Sequence, residues 1–163
     1  MANLIFDKVQ IEATIDKIVD RTMRMDMTWD WPCGVAYYGI CEAYEVTKNE
    51  RYLQLVKDRV DEYIELGLPR WTVNTCSMGH CLITLYQHTG DEKYLNFSKS
   101  FIDSFVQEDG SIKTYDPKEY NLDNVNQGKN LFTLYDIFGD EKYRRAIDTI
   151  RSQLLTQPRT KEG

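Results

Sequence analysis

Proline, glycine and histidine are scarce in this sequence, which has four, nine and two of them among its 163 residues. Such low proline and glycine content excludes a collagen-like or low-complexity chain, and 42% hydrophobic residues suffice for a folded domain. One domain is the default at this length, and its core needs no disulfide or metal for stability. We therefore expect a single domain without a cofactor.

Long apolar runs and an excess of positive charge are also missing. No stretch approaches the ~18 apolar residues of a membrane span, and acidic residues interrupt the first 25 positions, which a secretory signal would not tolerate. The net charge is −6, and the Lys and Arg residues are scattered among acids. This pattern argues against a phosphate backbone as a partner. We expect a cytoplasmic chain that binds neither membranes nor nucleic acids.

No set of side chains in the sequence matches a metal site. Cys76 and Cys81 flank His80, but no fourth ligand accompanies them at the spacing of a zinc site. All four cysteines lie in apolar helical patterns, where a free thiol packs as a small hydrophobe. The GxGxxG, P-loop, GxSxG and HExxH motifs are also absent. Their absence argues against four classes of protein: dinucleotide-binding proteins, P-loop proteins, α/β-hydrolases and zincins.

Three segments of the sequence align without a gap on two tyrosines, at 44–52, 86–94 and 135–143. Between the tyrosines of each pair, a helix stop precedes a helix start. A glycine can end one helix in the left-handed conformation, and an Asn or Asp can cap the next (Gly90 and Gly139; Asn49, Asp91 and Asp140). The pattern predicts three antiparallel helical hairpins.

Apolar residues recur at helical spacing on both sides of each turn. We predict one all-α domain over residues 1–163 with seven helices: a first helix over about 6–25 and hairpins over about 34–66, 76–107 and 125–155. The connecting loops are long, and long loops often carry function. In the second loop, residues 111–115 alternate between polar and apolar side chains and could form a small strand.

In an array of antiparallel hairpins, the loops that enter the first helix of each hairpin lie at one end. The residues gathered there are Trp29, Asp30 and Trp31 before the first hairpin, Trp71 and Asn74 before the second, and Tyr120 and Asp123 before the third. Asn74 and Asp123 each stand five residues before a glycine, so they occupy equivalent positions. Aromatic rings beside carboxylates and amides are typical of a sugar-binding surface.

These residues also have purely structural interpretations. The three tryptophans could close the end of a helical core, and Asp123 could cap the helix that follows it. His80 is a weak candidate for a general base, because local spacing places no Ser or Cys nucleophile beside it.

Three stretches of the sequence carry a resemblance to a known family: Thr28-Trp-Asp-Trp-Pro-Cys-Gly-Val-Ala-Tyr-Tyr-Gly39, Trp71-Thr-Val-Asn-Thr-Cys-Ser-Met-Gly-His80 and Tyr120-Asn-Leu-Asp-Asn-Val-Asn-Gln-Gly-Lys129. The chain resembles the unsaturated glucuronyl and rhamnogalacturonyl hydrolases of glycoside hydrolase families 88 and 105. The resemblance implies an (α/α)6 toroid in which an aspartate hydrates the C4=C5 double bond of a terminal unsaturated uronate. It matches Asp123 with an active-site aspartate that helps to hold the sugar, and Trp31 with an aromatic residue that lines the pocket.

The sequence departs from that family in two respects. The Trp-x-Asp motif that carries the family's principal acid/base aspartate is absent from residues 1–163, and seven helices form only about half of a toroid. In addition, two hairpins rather than one lead from the Trp-rich segment to the Asp123 segment; residues 30–105 resemble one branch of the family, and 106–163 resemble another.

We therefore expect the N-terminal part of a hydrolase acting on unsaturated uronyl oligosaccharides, inactive on its own. Asp123 is the candidate secondary catalytic residue. The candidate substrate-binding residues are Trp29, Asp30, Trp31, Trp71, Asn74 and His80. Two alternatives stay open: a helical-repeat interaction module, self-associating through an exposed apolar flank, or a sugar-binding remnant without catalysis.

Overall fold

A computed structural model of the chain describes residues 7–68, 70 and 72–160. Within these ranges it contains seven α-helices and three 3-10 helices, which confirms the predicted all-α class. The α-helices are α1 (Lys8–Met23), α2 (Trp31–Thr47), α3 (Glu50–Leu66), α4 (Gly79–Thr89), α5 (Glu92–Asp103), α6 (Gly128–Phe138) and α7 (Glu141–Thr156). The 3-10 helices are Val73–Met78, Pro117–Glu119 and Leu122–Val125. None of these helices is long and apolar enough to cross a membrane.

The three hairpin turns follow the predicted stop-and-start pattern. Gly90 and Gly139 adopt left-handed φ angles of 70° and 64°, and each N–H donates to the carbonyl of the tyrosine four residues earlier. Lys48 adopts the same conformation at φ 55° in the first turn, without glycine. The predicted caps are confirmed, since the side chains of Asn49, Asp91 and Asp140 each accept from the backbone N–H two residues later.

The first helix of each hairpin belongs to an inner segment, and the three inner segments are equally long: 31–47, 73–89 and 122–138. The first is α-helical throughout, whereas the second and third begin as 3-10 helices. The shared length fixes which positions correspond among the three segments. A residue in the first segment corresponds to the residues 42 and 91 positions later in the chain.

The inner segments lie side by side and run parallel. A Cβ atom added to Gly34 would come within 2.9 Å of the carbonyl carbon of Ser77, so glycine permits close contact there. The Asn130 amide on α6 likewise reaches back to donate to the Cys76 carbonyl at 2.9 Å. At the opposite end, His88 of α4 contacts Glu45 of α2. The N-terminal ends of the three segments therefore share one end of the array.

A tyrosine ladder links the outer helices α1, α3, α5 and α7. In each step, a tyrosine hydroxyl near the start of one outer helix donates to an aspartate of the outer helix before it: Tyr52 to Asp16 at 2.8 Å, Tyr94 to Asp61 at 2.9 Å and Tyr143 to Asp103 at 2.6 Å. The basic residue before each tyrosine pairs with the same aspartate (Arg51, Lys93 and Lys142). The aspartates of α3 and α5 stand nine residues after the tyrosine of their own helix, a position that Ser152 occupies in α7.

Both ends of the array leave apolar side chains exposed. At the α1/α2 flank, a 310 Å³ cavity is lined by residues that include Ile15, Ile18 and Val35. At the α6/α7 flank, a 170 Å³ cavity is lined by residues that include Phe132 and Leu154. In the described part of the chain, both flanks thus expose apolar side chains that a self-contained repeat array would cover with a polar outer face.

The loop after α5 forms a tight turn rather than the small strand considered for residues 111–115. A single antiparallel bridge joins Val106 and Ile112. Gly110 occupies the turn at φ 84°, where its backbone packs against Arg145. The Arg145 guanidinium donates to the Glu108 carbonyl at 3.0 and 2.6 Å, and these bonds fasten the loop to α7.

Candidate functional site

Three of the predicted site residues lie at the N-terminal ends of the inner segments, which we call the rim. Trp31 is the first residue of α2, and 48% of its surface is exposed. Asn74 and Asp123 are both the second residue of a 3-10 helix, which confirms that their positions are equivalent. The rim therefore carries an exposed indole, an amide and a carboxylate, as the repeat pattern predicts.

The structure separates Trp29 from the exposed surface. Only 2% of its surface is accessible, and its indole N–H donates to the Thr75 carbonyl at 3.1 Å. Its ring packs against the rings of Tyr63, Phe97 and Phe101. This burial agrees with the alternative in which a tryptophan closes the helical core. Trp71, the third predicted tryptophan, lies outside the described residues.

Asp30 and Asp123 have different local roles. Asp30 caps α2, since its side chain accepts from the Trp31 N–H at 2.7 Å. The interpretation of Asp123 as a helix cap is wrong: its 3-10 helix is capped by Asn121, and Gln127 stands at the N-cap of α6. Asp123 lies inside this 3-10 helix, five residues before α6 begins, so its exposed carboxylate is not needed to satisfy a helix terminus.

Asn74 has an unsatisfied polar atom. The residue is half-buried, and its Oδ1 is a buried acceptor without a hydrogen-bond partner in the described part of the chain. Buried polar atoms are normally paired, so an unpaired one calls for a water molecule or a ligand group. At the rim, a hydroxyl group of a ligand is a suitable donor.

Below the rim, Tyr38, His80 and Lys129 occupy corresponding positions in the three inner segments, six residues before the repeated tyrosines. The ring centroids of Tyr38 and His80 are 5.2 Å apart, and the Lys129 ammonium is 5.5 Å from the Tyr38 ring centroid. Side chains of α2 and α6 therefore meet across α4. The face that the inner segments form together is therefore concave. We call Tyr38, His80 and Lys129 the wall cluster.

The surroundings of His80 determine the tautomer and the charge of its imidazole. Its Nε2 lies 3.2 Å from the carbonyl oxygen of Asn126, which can only accept, so Nε2 carries the proton. Burial and the nearby Lys129 charge lower the pKa of His80, although the Asn126 bond partly opposes them. The imidazole is therefore neutral at pH 7, and Nδ1 is a hydrogen-bond acceptor.

Two adjoining cavities of 230 and 80 Å³ lie along the concave face, and the wall cluster lines both. Asn130 lines the larger cavity and Ser77 the smaller one. Both residues are almost fully buried, and the Asn130 Oδ1 and the Ser77 Oγ lack hydrogen-bond partners in the described part. Sequence reasoning missed Tyr38 and Lys129, although their fixed spacing from the repeated tyrosines was a signal that could have found them.

The arrangement offers groups for hydrogen bonding and acid–base chemistry. Across the described residues, no group of three His, Cys, Asp or Glu side chains is placed to hold a metal ion. The four cysteines are free and buried, and burial raises the pKa of Cys33 and Cys76. A buried thiol with a raised pKa is a poor nucleophile. The exposed rim and the concave face are therefore the parts suited to a polar ligand.

Comparisons with known proteins agree with this geometry. Over 95 residues, the chain is 54% identical to unsaturated rhamnogalacturonyl hydrolase YesR of Bacillus subtilis (strain 168), a match that covers 58% of this chain and 28% of that protein. A solved structure of a family 105 glycoside hydrolase from C. acetobutylicum ATCC 824 is similar with a TM-score of 0.61 and 37% identity. That similarity covers 66% of this chain and 31% of the solved one.

The chain thus spans less than a third of the length of either relative. The likeness confirms the prediction that the helical array is part of an (α/α)6 toroid. Residues 5–96 and 80–163 each match Glycosyl Hydrolase Family 88, and the two stretches share residues 80–96, as a repeated hairpin allows. Together they cover nearly all of the sequence, so this chain belongs to Glycosyl Hydrolase Family 88.

Proposed function

We propose that this chain forms part of the sugar-binding cleft of a hydrolase that acts on oligosaccharides ending in an unsaturated uronic acid. The observation that carries the proposal is the rim, where Trp31, Asn74 and Asp123 stand at the same end of the inner segments. Family membership and the name of the rhamnogalacturonyl relative support the substrate class.

Each rim residue has a defined role in this proposal. The exposed Trp31 indole packs against the apolar C–H face of a sugar ring. The Asn74 Oδ1 and the Asp123 carboxylate accept hydrogen bonds from sugar hydroxyls. In contrast, Trp29 supports the rim from within the core and does not touch the sugar.

The reaction is the hydration of the C4=C5 double bond. An acid donates a proton to C4, and a water molecule that loses a proton to a base adds its oxygen to C5. The product opens and releases the neighbouring sugar. Asp123 holds the sugar as a secondary catalytic group. The Trp-x-Asp motif of the principal acid/base is absent from these 163 residues, so we propose that this chain alone does not turn over substrate.

The test uses a rhamnogalacturonan disaccharide with an unsaturated uronic acid at its non-reducing end. We expect the purified chain to leave the absorbance of the unsaturated group constant while its tryptophan fluorescence changes saturably. Trp31→Ala should abolish the fluorescence change, and Asp123→Asn should weaken binding by about tenfold. Asp58→Asn, on the exposed face of α3, is the matched control and should bind as the unchanged chain does.

Either of two results would contradict this proposal. Steady loss of absorbance would show that the chain alone is catalytically active. A fluorescence spectrum unchanged by excess disaccharide would refute the proposal that the rim binds the sugar.

The exposed flanks support a second candidate function. Phe132 and Leu154 at the α6/α7 flank are 50% and 42% exposed, and Ile18 at the α1/α2 flank is 59% exposed. Apolar surface of this kind is covered in most stable proteins. We propose that these flanks associate with protein, including a second copy of this chain.

Light scattering over a range of concentrations tests this second candidate. We expect mass to rise with concentration, and the double substitution Phe132→Ser with Leu154→Ser to reduce that rise. A monodisperse monomer at all concentrations would contradict association between copies.

A further inference from the structure

We propose that Lys129 binds the carboxylate of the uronic acid and so determines which way the sugar enters the cleft. The proposal rests on the function proposed above and adds a specificity-determining residue below the rim. It follows from the position of Lys129, from the charges around it, and from unpaired polar atoms nearby.

Among the described residues that line the two cavities of the concave face, Lys129 is the only one with a cationic side chain. Elsewhere in the array, lysines at helix contacts pair with acids, as Lys99 does with Asp103 at 2.5 Å and Lys93 with Asp61 at 3.1 Å. Within the described ranges, the Lys129 ammonium makes no ion pair; its contact is with the Tyr38 ring. It is therefore a cation available to an acidic ligand.

The surrounding acids restrict a ligand carboxylate to the wall cluster. Asp123 stands six residues before Lys129, in the 3-10 helix Leu122–Val125 at the rim, whereas Lys129 is the second residue of α6. On the far side of the wall cluster, Glu42 and Glu45 line the larger cavity. Glu45 is paired with Lys48 at 2.6 Å, so a carboxylate is repelled mainly by Asp123 at the rim and by Glu42 deeper in the cavity, whereas Lys129 attracts it.

Neutral groups complete the binding site around this positive charge. Because the Nε2 of His80 donates to Asn126, its Nδ1 can accept a sugar hydroxyl. The unpaired Oδ1 of Asn130 is a second acceptor on the same face. In the proposed complex, these acceptors take hydrogen bonds from ring hydroxyls while the carboxylate lies at Lys129.

The experiment compares two ligands, the unsaturated disaccharide and its methyl ester, which has the same sugar ring without the negative charge. We expect Lys129→Met to weaken binding of the acid by about tenfold and to leave binding of the ester within about twofold. Lys129→Arg keeps the charge and should retain most of the affinity for the acid. Lys118→Met, an exposed lysine away from the cavities, is the control for charge removal.

The outcomes separate this proposal from the one on which it rests. If the unchanged chain binds the acid and Lys129→Met weakens acid and ester equally, or weakens neither, the role of Lys129 is refuted while the rim proposal stands. If the unchanged chain binds neither ligand, both proposals fail. Circular dichroism of each variant should match that of the unchanged chain, and a variant that unfolds is replaced by Lys129→Gln in the same comparison.

Discussion

The Tyr143 hydroxyl in α7 donates a 2.6 Å hydrogen bond to the Asp103 carboxylate in α5. Tyr143 is fully buried, whereas Asp103 also pairs with Lys99 and Lys142 at the protein surface. The bond therefore connects the core to the surface and fixes the position of α7 on the array. The same relationship occurs at the two preceding steps of the tyrosine ladder, so one interaction sets the spacing of the outer helices.

Tyr143→Phe should lower the free energy of unfolding by about 1.5 kcal/mol, because it removes a hydrogen bond to a charged group while Asp103 keeps its lysine partners. Urea denaturation measures the change. The matched control is Tyr135→Phe, which removes an exposed 3.1 Å bond to Glu141 and should cost less than about 0.5 kcal/mol. Equal losses in the two variants would contradict a special role for the ladder.

Two ladder aspartates, Asp61 and Asp103, should make the fold sensitive to acid, because the pKa of each is lowered in the folded state. Burial alone would raise the pKa of Asp103, but hydrogen bonds from Lys99, Tyr143 and Lys142 hold it below its usual value. A pKa depressed in the folded state stabilises the fold above the unfolded-state pKa of about 3.9, and that contribution is lost as the pH falls through the folded-state pKa. Urea midpoints between about pH 5 and pH 2 should fall for the unchanged chain. The fall should be smaller for Asp103→Asn, and identical slopes would refute the assignment.

Two glycines of α2 should respond oppositely to alanine. In Gly34→Ala, the new Cβ would lie within 2.9 Å of the Ser77 carbonyl carbon, so backbone must shift at a cost of about 1–3 kcal/mol. At Gly39, no atom lies within 4 Å of an added Cβ, so Gly39→Ala should stabilise the helix by about 1 kcal/mol. Thermal unfolding compares the two variants. Shifts in the same direction would show that the close contact between α2 and Ser77 is unimportant.

Substitution of the two neighbouring tryptophans should have very different effects on the free energy of unfolding. Trp29→Ala should lower the free energy of unfolding by about 3–5 kcal/mol, because it empties a buried site surrounded by aromatic rings. Trp31→Ala should cost less than about 1 kcal/mol, since half of that side chain is already exposed. Urea denaturation of both variants tests this difference. A larger loss of stability for Trp31→Ala than for Trp29→Ala would contradict the burial of Trp29 and the exposure of Trp31.

Features that depend on local chemistry could be predicted from the sequence. The caps Asn49, Asp91 and Asp140 and the left-handed Gly90 and Gly139 are determined by residues close in the chain, and all are confirmed. The predicted start of α2, near residue 34, is three residues late, although Asp30 as the cap and Pro32 in the first turn indicate the true start at Trp31.

Features that depend on packing could not be predicted in the same way. Trp29 and Trp31 are chemically identical and two residues apart, and only the position of α5 and α3 around them decides which is buried. Likewise, aspartate is a residue type that often caps helices, but Asp123 lies in a 3-10 helix ahead of α6 and therefore outside the capping position. The wall cluster depends on the curvature of three inner segments, which brings Lys129 next to Tyr38.

The serine at position 152 has a consequence for the outer surface of the ring. A helix that packed beside α7 as α7 packs beside α5 would meet a neutral hydroxyl where its predecessors met a carboxylate. A tyrosine–serine bond lacks the charge that strengthens the earlier steps, and a basic neighbour would gain no counterion there. The face of α7 around Ser152 is thus a weaker attachment surface for an outer helix than the aspartate-bearing faces of α3 and α5.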